Sequence, residues 1–469
     1  MEDVRRATGE EAEERAKHLA WVKSFAPEGS ALGLERIEAL LSALDLPRDA
    51  VPAVHVAGTN GKGSVTRTVA AIFSAAGRRV GIYTSPHLED YWERVEVDGA
   101  PVRTETLAAF RREVEAVLPR LSARGLVPTE FEVMTALAWY AFSREGVDVA
   151  AVEVGLGGRL DATNALFPKV AAITTVGYDH VRILGPTLRD IAREKAGILK
   201  PGVPVVVGPL PPEAEEVVLA EAEARGAPAF LWGRDYAAED VVPCGAFPGA
   251  VRFTYRGPWS TRPDLVPGLA GAHQAQNAAV AVLAGEILAR AAGISLPDEA
   301  VRLGLAAVRH KGRLEFFPPD VWLDGAHNPE GARALADALA RVVAPGAPGG
   351  PRVVFLLAVS ADKDVSEILR PLLPLARAAF VTRYTGSRAM SPDVLADHVR
   401  MIAPHLDVWI TEDPKRAFLE ALALARQAGV PLVVCGSLYL VGELRAFVRG
   451  VLRAEERAPQ TSGMPPGRD

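Results

Sequence analysis

Apolar runs of strand length alternate with helical periods along most of the chain. Residues 53–57, 80–84, 147–154, 171–176 and 205–207 are continuous enough to predict strands buried on both faces. The last is short, and Pro204 marks its start. Residues 106–121, 132–142 and 188–199 carry the spacing of helices, and Thr187 with Asp190 three residues on predicts a capped start for the third. This alternation predicts a largely parallel sheet with helices on both faces. Residues 237–267 break the rhythm with short β-like pieces among Pro, Gly and Trp, and predict a small β excursion at the edge of a first domain. The pattern restarts after residue 310. Strands are predicted at 321–324, 353–358, 379–382, 408–410 and 432–435, each followed by a helix, which makes a second, Rossmann-like α/β domain. The expected domains are 1–308 and 309–458, with a surface helix over 1–25, a Pro/Gly loop at 344–351 and a disordered tail at 459–469.

Residues 54–64 read Val-His-Val-Ala-Gly-Thr-Asn-Gly-Lys-Gly-Ser. An apolar run ends in a glycine loop with one lysine, and the loop opens into a helix whose apolar face is Val65, Val69, Ile72, Phe73 and Ala76, with Gly77 at its end. Strand, loop and helix N-terminus together make an anion site: free N–H groups point outward and the helix dipole favours negative charge. Lys62 adds a full charge, and Ser64 or a neighbouring Thr hydroxyl is a candidate ligand for Mg²⁺. Gly63 separates Lys62 from Ser64, so the loop departs from the strict G-x-x-x-x-G-K-[ST] pattern. The fold class expected is therefore α/β: a P-loop ATPase domain with a mostly parallel sheet, plus the C-terminal Rossmann-like domain.

Composition narrows the partners. The 469 residues hold 52 Lys+Arg against 58 Asp+Glu, a net charge of −6. No global charge invites nucleic acid or an anionic membrane, so a polyanionic ligand must be held by local cations. The two cysteines, Cys244 and Cys435, form neither a disulfide framework nor a zinc set. The N-terminus has no apolar signal region and no run is long enough to span a bilayer. A cytoplasmic enzyme is the expectation.

Polar residues gather just past the carboxyl ends of the predicted strands, where open α/β sheets place ligands. Ser85 follows one strand. Glu153 ends a very apolar one, where a carboxylate is costly to bury without a partner or a metal. It resembles the acidic residue that positions Mg²⁺ in P-loop ATPases. His180, after Asp179, can ligate metal through a neutral ring nitrogen. The glycine run at 155–164 carries Arg159 and Asp161, and beside Glu153 it is expected to face substrate. In the second domain Asn328 and Pro329 suit a helix start, which leaves Asp324 and His327 for chemistry. Arg313 lies in the interdomain segment, just past the expected boundary, where a cation can reach phosphate.

These residues fall in motifs that resemble the folylpolyglutamate synthase/dihydrofolate synthase group of the Mur ligase superfamily. The matching segments are His-Val-Ala-Gly-Thr-Asn-Gly-Lys-Gly-Ser from His55, Thr-Ser-Pro-His-Leu from Thr84, and Glu-Val-Gly-Leu-Gly-Gly-Arg-Leu-Asp-Ala-Thr-Asn from Glu153. They continue with Asp179-His180, Ile-Ala-Arg-Glu-Lys-Ala-Gly-Ile from Ile191, Gln-Asn-Ala from Gln276, Asp-Gly-Ala-His-Asn-Pro from Asp324 and Gly-Ser-Leu-Tyr-Leu from Gly436. Tyr178 departs from the pattern, standing where an aliphatic residue is expected before Asp-His.

The resemblance implies an ATP-dependent ligase that joins a carboxylate of dihydropteroate, of reduced folates, or of both, to the amino group of L-glutamate through an acyl phosphate. It implies that Thr59, Asn60, Gly61, Lys62, Gly63 and Ser64 cradle ATP phosphates, with Lys62 on the β/γ oxygens. Ser85 and Glu153 are expected to hold one Mg²⁺. A second is expected at His180 and Lys195, with Lys195 carbamylated so that an anion replaces the ammonium. Asn277, Arg313 and Asp324 are expected on the nucleotide and His327 near glutamate and phosphate. Residues 129–132, Thr-Glu-Phe-Glu, match loosely a pterin-side segment. The resemblance leaves open a need for K⁺. A monomer without nucleic-acid or membrane partners is expected.

Two other readings stay open. A cell-wall Mur ligase would carry a domain for a UDP sugar ahead of the loop, where this chain has about fifty residues. A P-loop kinase, switch or decayed nucleotide-binding protein leaves the second domain, or the full set of Lys62, Glu153, His180, Lys195 and Asp324, unexplained.

Overall fold

The structure, a computed structural model, describes residues 2–26, 33–343 and 353–457. The expected loop at 344–351 and tail at 459–469 lie outside the described residues. The chain divides into two compact units, Met1–His310 and Lys311–Asp469. Among the described residues no helix is long and apolar enough to cross a membrane.

One eight-stranded sheet organises the first unit, in the order Ala100–Pro101, Val95–Val97, Val80–Tyr83, Val149–Glu153, Ala53–Ala57, Val170–Ile173, Val205–Val207 and Ala229–Leu231. The first two are antiparallel additions at the edge; the other strands run parallel. Strand alternation divides the core. Val54, Val56, Val149 and Ala151 pack with residues of the helices Lys62–Ala75 and His273–Ala292, whereas Ala53, Ala150 and Val152 pack with residues of Thr104–Ser122 and Glu130–Arg144. Burial on both faces explains the continuous apolar runs. It also makes Glu153, 6 % exposed at the end of its strand, the exception that asks for a role.

The β excursion at 237–267 is a separate antiparallel sheet of Ala237–Pro243, Val251–Arg256 and Thr261–Leu265, with Val251–Arg256 central. A buried ionic cluster ties it to the helix His273–Ala292. Arg262 donates to Glu286, and Tyr255 and Ser260 donate to the same carboxylate. Arg262 also donates to Asp298, at the start of the next helix.

A six-stranded sheet builds the second unit, in the order Glu315–Phe317, Val321–Leu323, Leu432–Cys435, Val353–Leu357, Ala376–Val381 and Val408–Ile410. Only Glu315–Phe317, which the sequence pattern does not reveal, is antiparallel to its neighbour. The last strand in sequence lies in the middle, so the sheet reverses direction of winding beside it. Such a reversal opens a ligand crevice at the carboxyl ends of the strands.

Candidate active site

In the first unit, strand register brings the candidates together. Ala57 pairs with Ile173 and Val56 with Glu153. The phosphate loop therefore emerges between Glu153 on one side and Thr174 and Thr175 on the other. The loop is held by the second pair. Thr59 N–H donates to the Thr175 carbonyl at 2.8 Å and Asn60 N–H to Thr175 Oγ1 at 2.9 Å. Thr174 and Thr175 hydroxyls donate to the Asn60 carbonyl, and Gly177 N–H donates to Thr59 Oγ1 at 3.0 Å. Motif reading missed Thr174 and Thr175, since two threonines after a strand carry no signal until pairing shows what lies beside them.

The glycines of the loop answer these contacts. Gly61 caps the helix with φ 84, in the left-handed region, and a β-carbon there would press on Asn277 Oδ1. Gly63 explains the departure from the strict motif: a β-carbon at that position would meet His310 Cε1 at 2.7 Å and Glu153 Oε2 at 3.4 Å.

Lys62 folds back over its own loop, donating to the carbonyls of Gly58 at 3.0 Å and Thr59 at 3.2 Å. Ser85 N–H donates to Glu153 Oε2 at 3.3 Å, which brings Ser85 to the same carboxylate. Asn277 lies in the first turns of a buried helix, donating to Gln274 Oε1 at 3.0 Å.

Lys195 stands near the end of the helix Leu188–Ala196, started by the expected capping box of Thr187 and Asp190. The helix stops at Ala196, short of the expected 199: Arg159 N–H takes the Glu194 carbonyl at 2.8 Å, and the N–H groups of Ile198 and Leu199 turn to Lys195 and Ala196 three residues back. Lys195 is 3 % exposed, and burial, with the nearby charge of Lys62, pushes its amine down to about 7 against the pull of Asp179. His180, in the left-handed region at φ 50, adjoins Asp179, its N–H donating to Asp179 Oδ1 at 2.8 Å.

The polar side chains of the run 155–164, expected to face substrate, make contacts within the fold. Asp161, Thr163 and Asn164 are buried. Asp161 accepts from the N–H groups of Leu156 and Thr163, and Thr163 Oγ1 lies 2.8 Å from His55 Nε2. Arg159 grips Glu194, and its N–H donates to the Glu194 carbonyl at 2.8 Å. The loop brackets the helix that carries Lys195. Its side chains satisfy backbone groups that a buried loop would otherwise strand.

In the second unit Asp324 follows the strand Val321–Leu323 and accepts from Leu314 N–H at 2.7 Å and Ala326 N–H at 2.8 Å. Burial raises its carboxyl above the usual range, while Arg313 and these N–H groups oppose that rise. A side chain at Gly325 would collide with Leu438 and Arg313. His327 lies 2.7 Å from the Gly325 carbonyl through Nδ1. A carbonyl only accepts, so Nδ1 carries a proton and donates it there. Asn328 caps the next helix through Gly331 N–H at 2.8 Å, with Pro329 at its first position, as expected.

The donors around the loop suit Mg²⁺. That ion keeps several waters and takes one or two carboxylates together with phosphate oxygens. Glu153 beside Ser85 meets that need, and among the described residues no group of three or more His, Cys, Asp or Glu converges as a metal cage. Around His180 and Lys195 a cation fits only if the lysine is converted to an anion, because an ammonium would repel it.

Residues 56–285 match the family Mur ligase middle domain, and residues 318–448 match the family Dihydrofolate synthetase, C-terminal domain. The dihydrofolate synthase/folylpolyglutamate synthase of Bacillus subtilis is 34% identical over 433 residues, covering 91% of this chain and 97% of that protein. The folylpolyglutamate synthase of Lacticaseibacillus casei is 34% identical over 439 residues, 92% of this chain and 98% of that one. Among solved structures, the Mycobacterium tuberculosis folylpolyglutamate synthase complexed with ADP and AMPPCP superposes with a TM-score of 0.84 at 35% identity, covering 93% of this chain and 98% of that chain. The Escherichia coli FolC structure in complex with DHPP and ADP gives 0.79 at 31%, again covering 93% and 98%.

Proposed function

The chain belongs to the folylpolyglutamate synthase/dihydrofolate synthase family, and from that premise we propose how its residues perform the family's reaction. It is an ATP-dependent, ADP-forming ligase that makes an amide between a folate-type carboxylate and the amino group of L-glutamate. The γ-phosphoryl of ATP passes to the carboxylate, and ADP leaves. The glutamate amine attacks the acyl phosphate, loses a proton, and phosphate departs. The acceptor is dihydropteroate, a reduced folate, or both.

The observation that carries the residue roles is Lys62 lying on its own loop carbonyls, next in sequence to Gly63, which Glu153 approaches. In this reading Lys62 leaves Gly58 and Thr59 for the β/γ oxygens, while the N–H groups of residues 59–64 hold the phosphates at the helix N-terminus. Glu153 and Ser85 would hold Mg²⁺, which neutralises charge on the transferring oxygens. Lys195, neutral above about pH 7, is a nucleophile for CO₂: its nitrogen bonds to carbon, one proton leaves, and the carbamate joins His180 toward a second cation. Asn277, Arg313 and Asp324 contact the nucleotide. His327 lies near glutamate and phosphate. The protein works in the cytoplasm as a monomer.

The test is an ADP-release assay with glutamate and each acceptor in turn. ADP formation with dihydropteroate alone marks a dihydrofolate synthase, and with reduced folates alone a polyglutamylating enzyme. Response to both marks a bifunctional one. Release that ignores every folate-type acceptor refutes the reading.

A further inference from the structure

His310 belongs to no motif, yet its ring rests on the first turn of the phosphate-loop helix. A β-carbon on Gly63 would lie 2.7 Å from His310 Cε1, 3.2 Å from its Nε2 and 3.4 Å from Glu153 Oε2. Ser64 Oγ lies 3.4 Å from His310 Nδ1. An imidazole, a carboxylate and a hydroxyl thus converge at Gly63, a loop residue that has no room for a side chain. Glu153 already accepts from Ser85 N–H. The hydroxyl of Ser64 has one proton and two lone pairs. If the proton points at an acceptor, both lone pairs are free to face a cation.

We propose that His310 is a positioning residue of the nucleotide site: its Nδ1 accepts the Ser64 proton and holds the hydroxyl oxygen toward the magnesium of a bound Mg·nucleotide. The required form is the neutral ring with its proton on Nε2. A contact of 3.4 Å is long for a hydrogen bond, and such contacts tighten when the ligand arrives. Groups that orient a metal's ligands are worth roughly 10–100-fold in metal affinity or activity. The proposal rests on the phosphate loop binding ATP, as argued above.

The test is ADP binding to the full-length chain by calorimetry, with and without Mg²⁺. H310F keeps a ring over Gly63 but removes the acceptor. H310N returns an acceptor near the position of Nδ1. In H310F the tightening that Mg²⁺ brings is expected to shrink roughly tenfold, while metal-free ADP binding is unchanged. H310N regains most of it. S64A lacks the hydroxyl, so adding H310F to it is expected to cost nothing more. Full magnesium response in H310F, an equal loss without the metal, or additive losses with S64A would each overturn the proposal. If H310F does not melt cooperatively, H310Q replaces it, since its amide reaches toward Nε2; equal behaviour of H310N and H310Q is then the overturning result. An unsubstituted chain that binds no ADP in either condition overturns the ATP site and this proposal together.

Discussion

Lys62 and Lys195 bear on one another. After burial, the charge of Lys62 is what holds the amine of Lys195 down to about 7. The phosphate-loop lysine therefore helps keep the second lysine neutral, the form that can react with CO₂.

The first prediction follows from the sign of that shift. The folded pKa of Lys195 lies below the ordinary lysine value of 10.5. Between about 7 and that value the unfolded chain binds more protons, so stability rises with pH across this window. Below about 7 the buried charge costs its full penalty. In CO₂-free buffer, K195M is expected to melt higher than the unsubstituted chain, by more at about pH 6 than at about pH 9. With carbon-13 CO₂, a carbamate resonance is expected to grow as pH rises through about 7 and to be missing in K195M. A resonance that persists in K195M would place the carbamate elsewhere.

Lys62→Ala should leave the fold intact. The ammonium contacts only carbonyls of its own loop among the hydrogen bonds seen, so its removal strands no buried charge. Turnover is expected to fall by about 10²–10³, the scale for losing one donor aimed at transition-state charge. Near-normal ADP release by a mutant with an unchanged melting curve removes Lys62 from the mechanism.

Thr175 serves both ends of Asn60. Its hydroxyl accepts from Asn60 N–H at 2.9 Å and donates to the Asn60 carbonyl at 3.1 Å. Thr175→Val keeps the shape and loses both. A stability loss of about 1 kcal/mol is expected, with weaker ADP binding because the loop is no longer pre-organised. Unfolding midpoints and an ADP titration check this; a loop that binds ADP equally well without the hydroxyl does not depend on that clamp.

Arg262 and Glu286 form a buried pair that joins the small antiparallel sheet to the helix carrying Asn277. Glu286→Ala leaves Arg262 with the exposed Asp298 as its one carboxylate beside the Ser260 hydroxyl, and also removes the acceptor of Tyr255 and Ser260. A loss of about 3–5 kcal/mol is expected in urea unfolding. The double variant R262M/E286L should recover much of it, since no uncompensated charge remains. A double variant as unstable as Glu286→Ala would show that packing, not the stranded charge, sets the loss.

Some of this architecture is legible in local chemistry alone. The strand Ala53–Ala57, the glycine loop and the helix after it follow from burial, left-handed glycine and helical spacing within two dozen residues. The caps at Thr187 and Asn328 need only neighbours three residues away. The restart of the pattern after residue 310 is visible for the same reason. Each of these is decided by backbone preference and periodicity, which act over short distances.

Tertiary structure decided what lies beside the loop. Register alone sets Glu153 against Val56 and Thr174 beyond Ala57, and a slip of one residue would turn each to the other face. The reason for Gly63 arrives from His310, far along the chain. Burial of Lys195 depends on a helix bracketed by Arg159 and Asn164. The glycine run forms that bracket, and its polar groups satisfy a buried backbone. Local sequence could name the reacting groups; only long-range packing could set their neighbours, and neighbours determine charge, orientation and room.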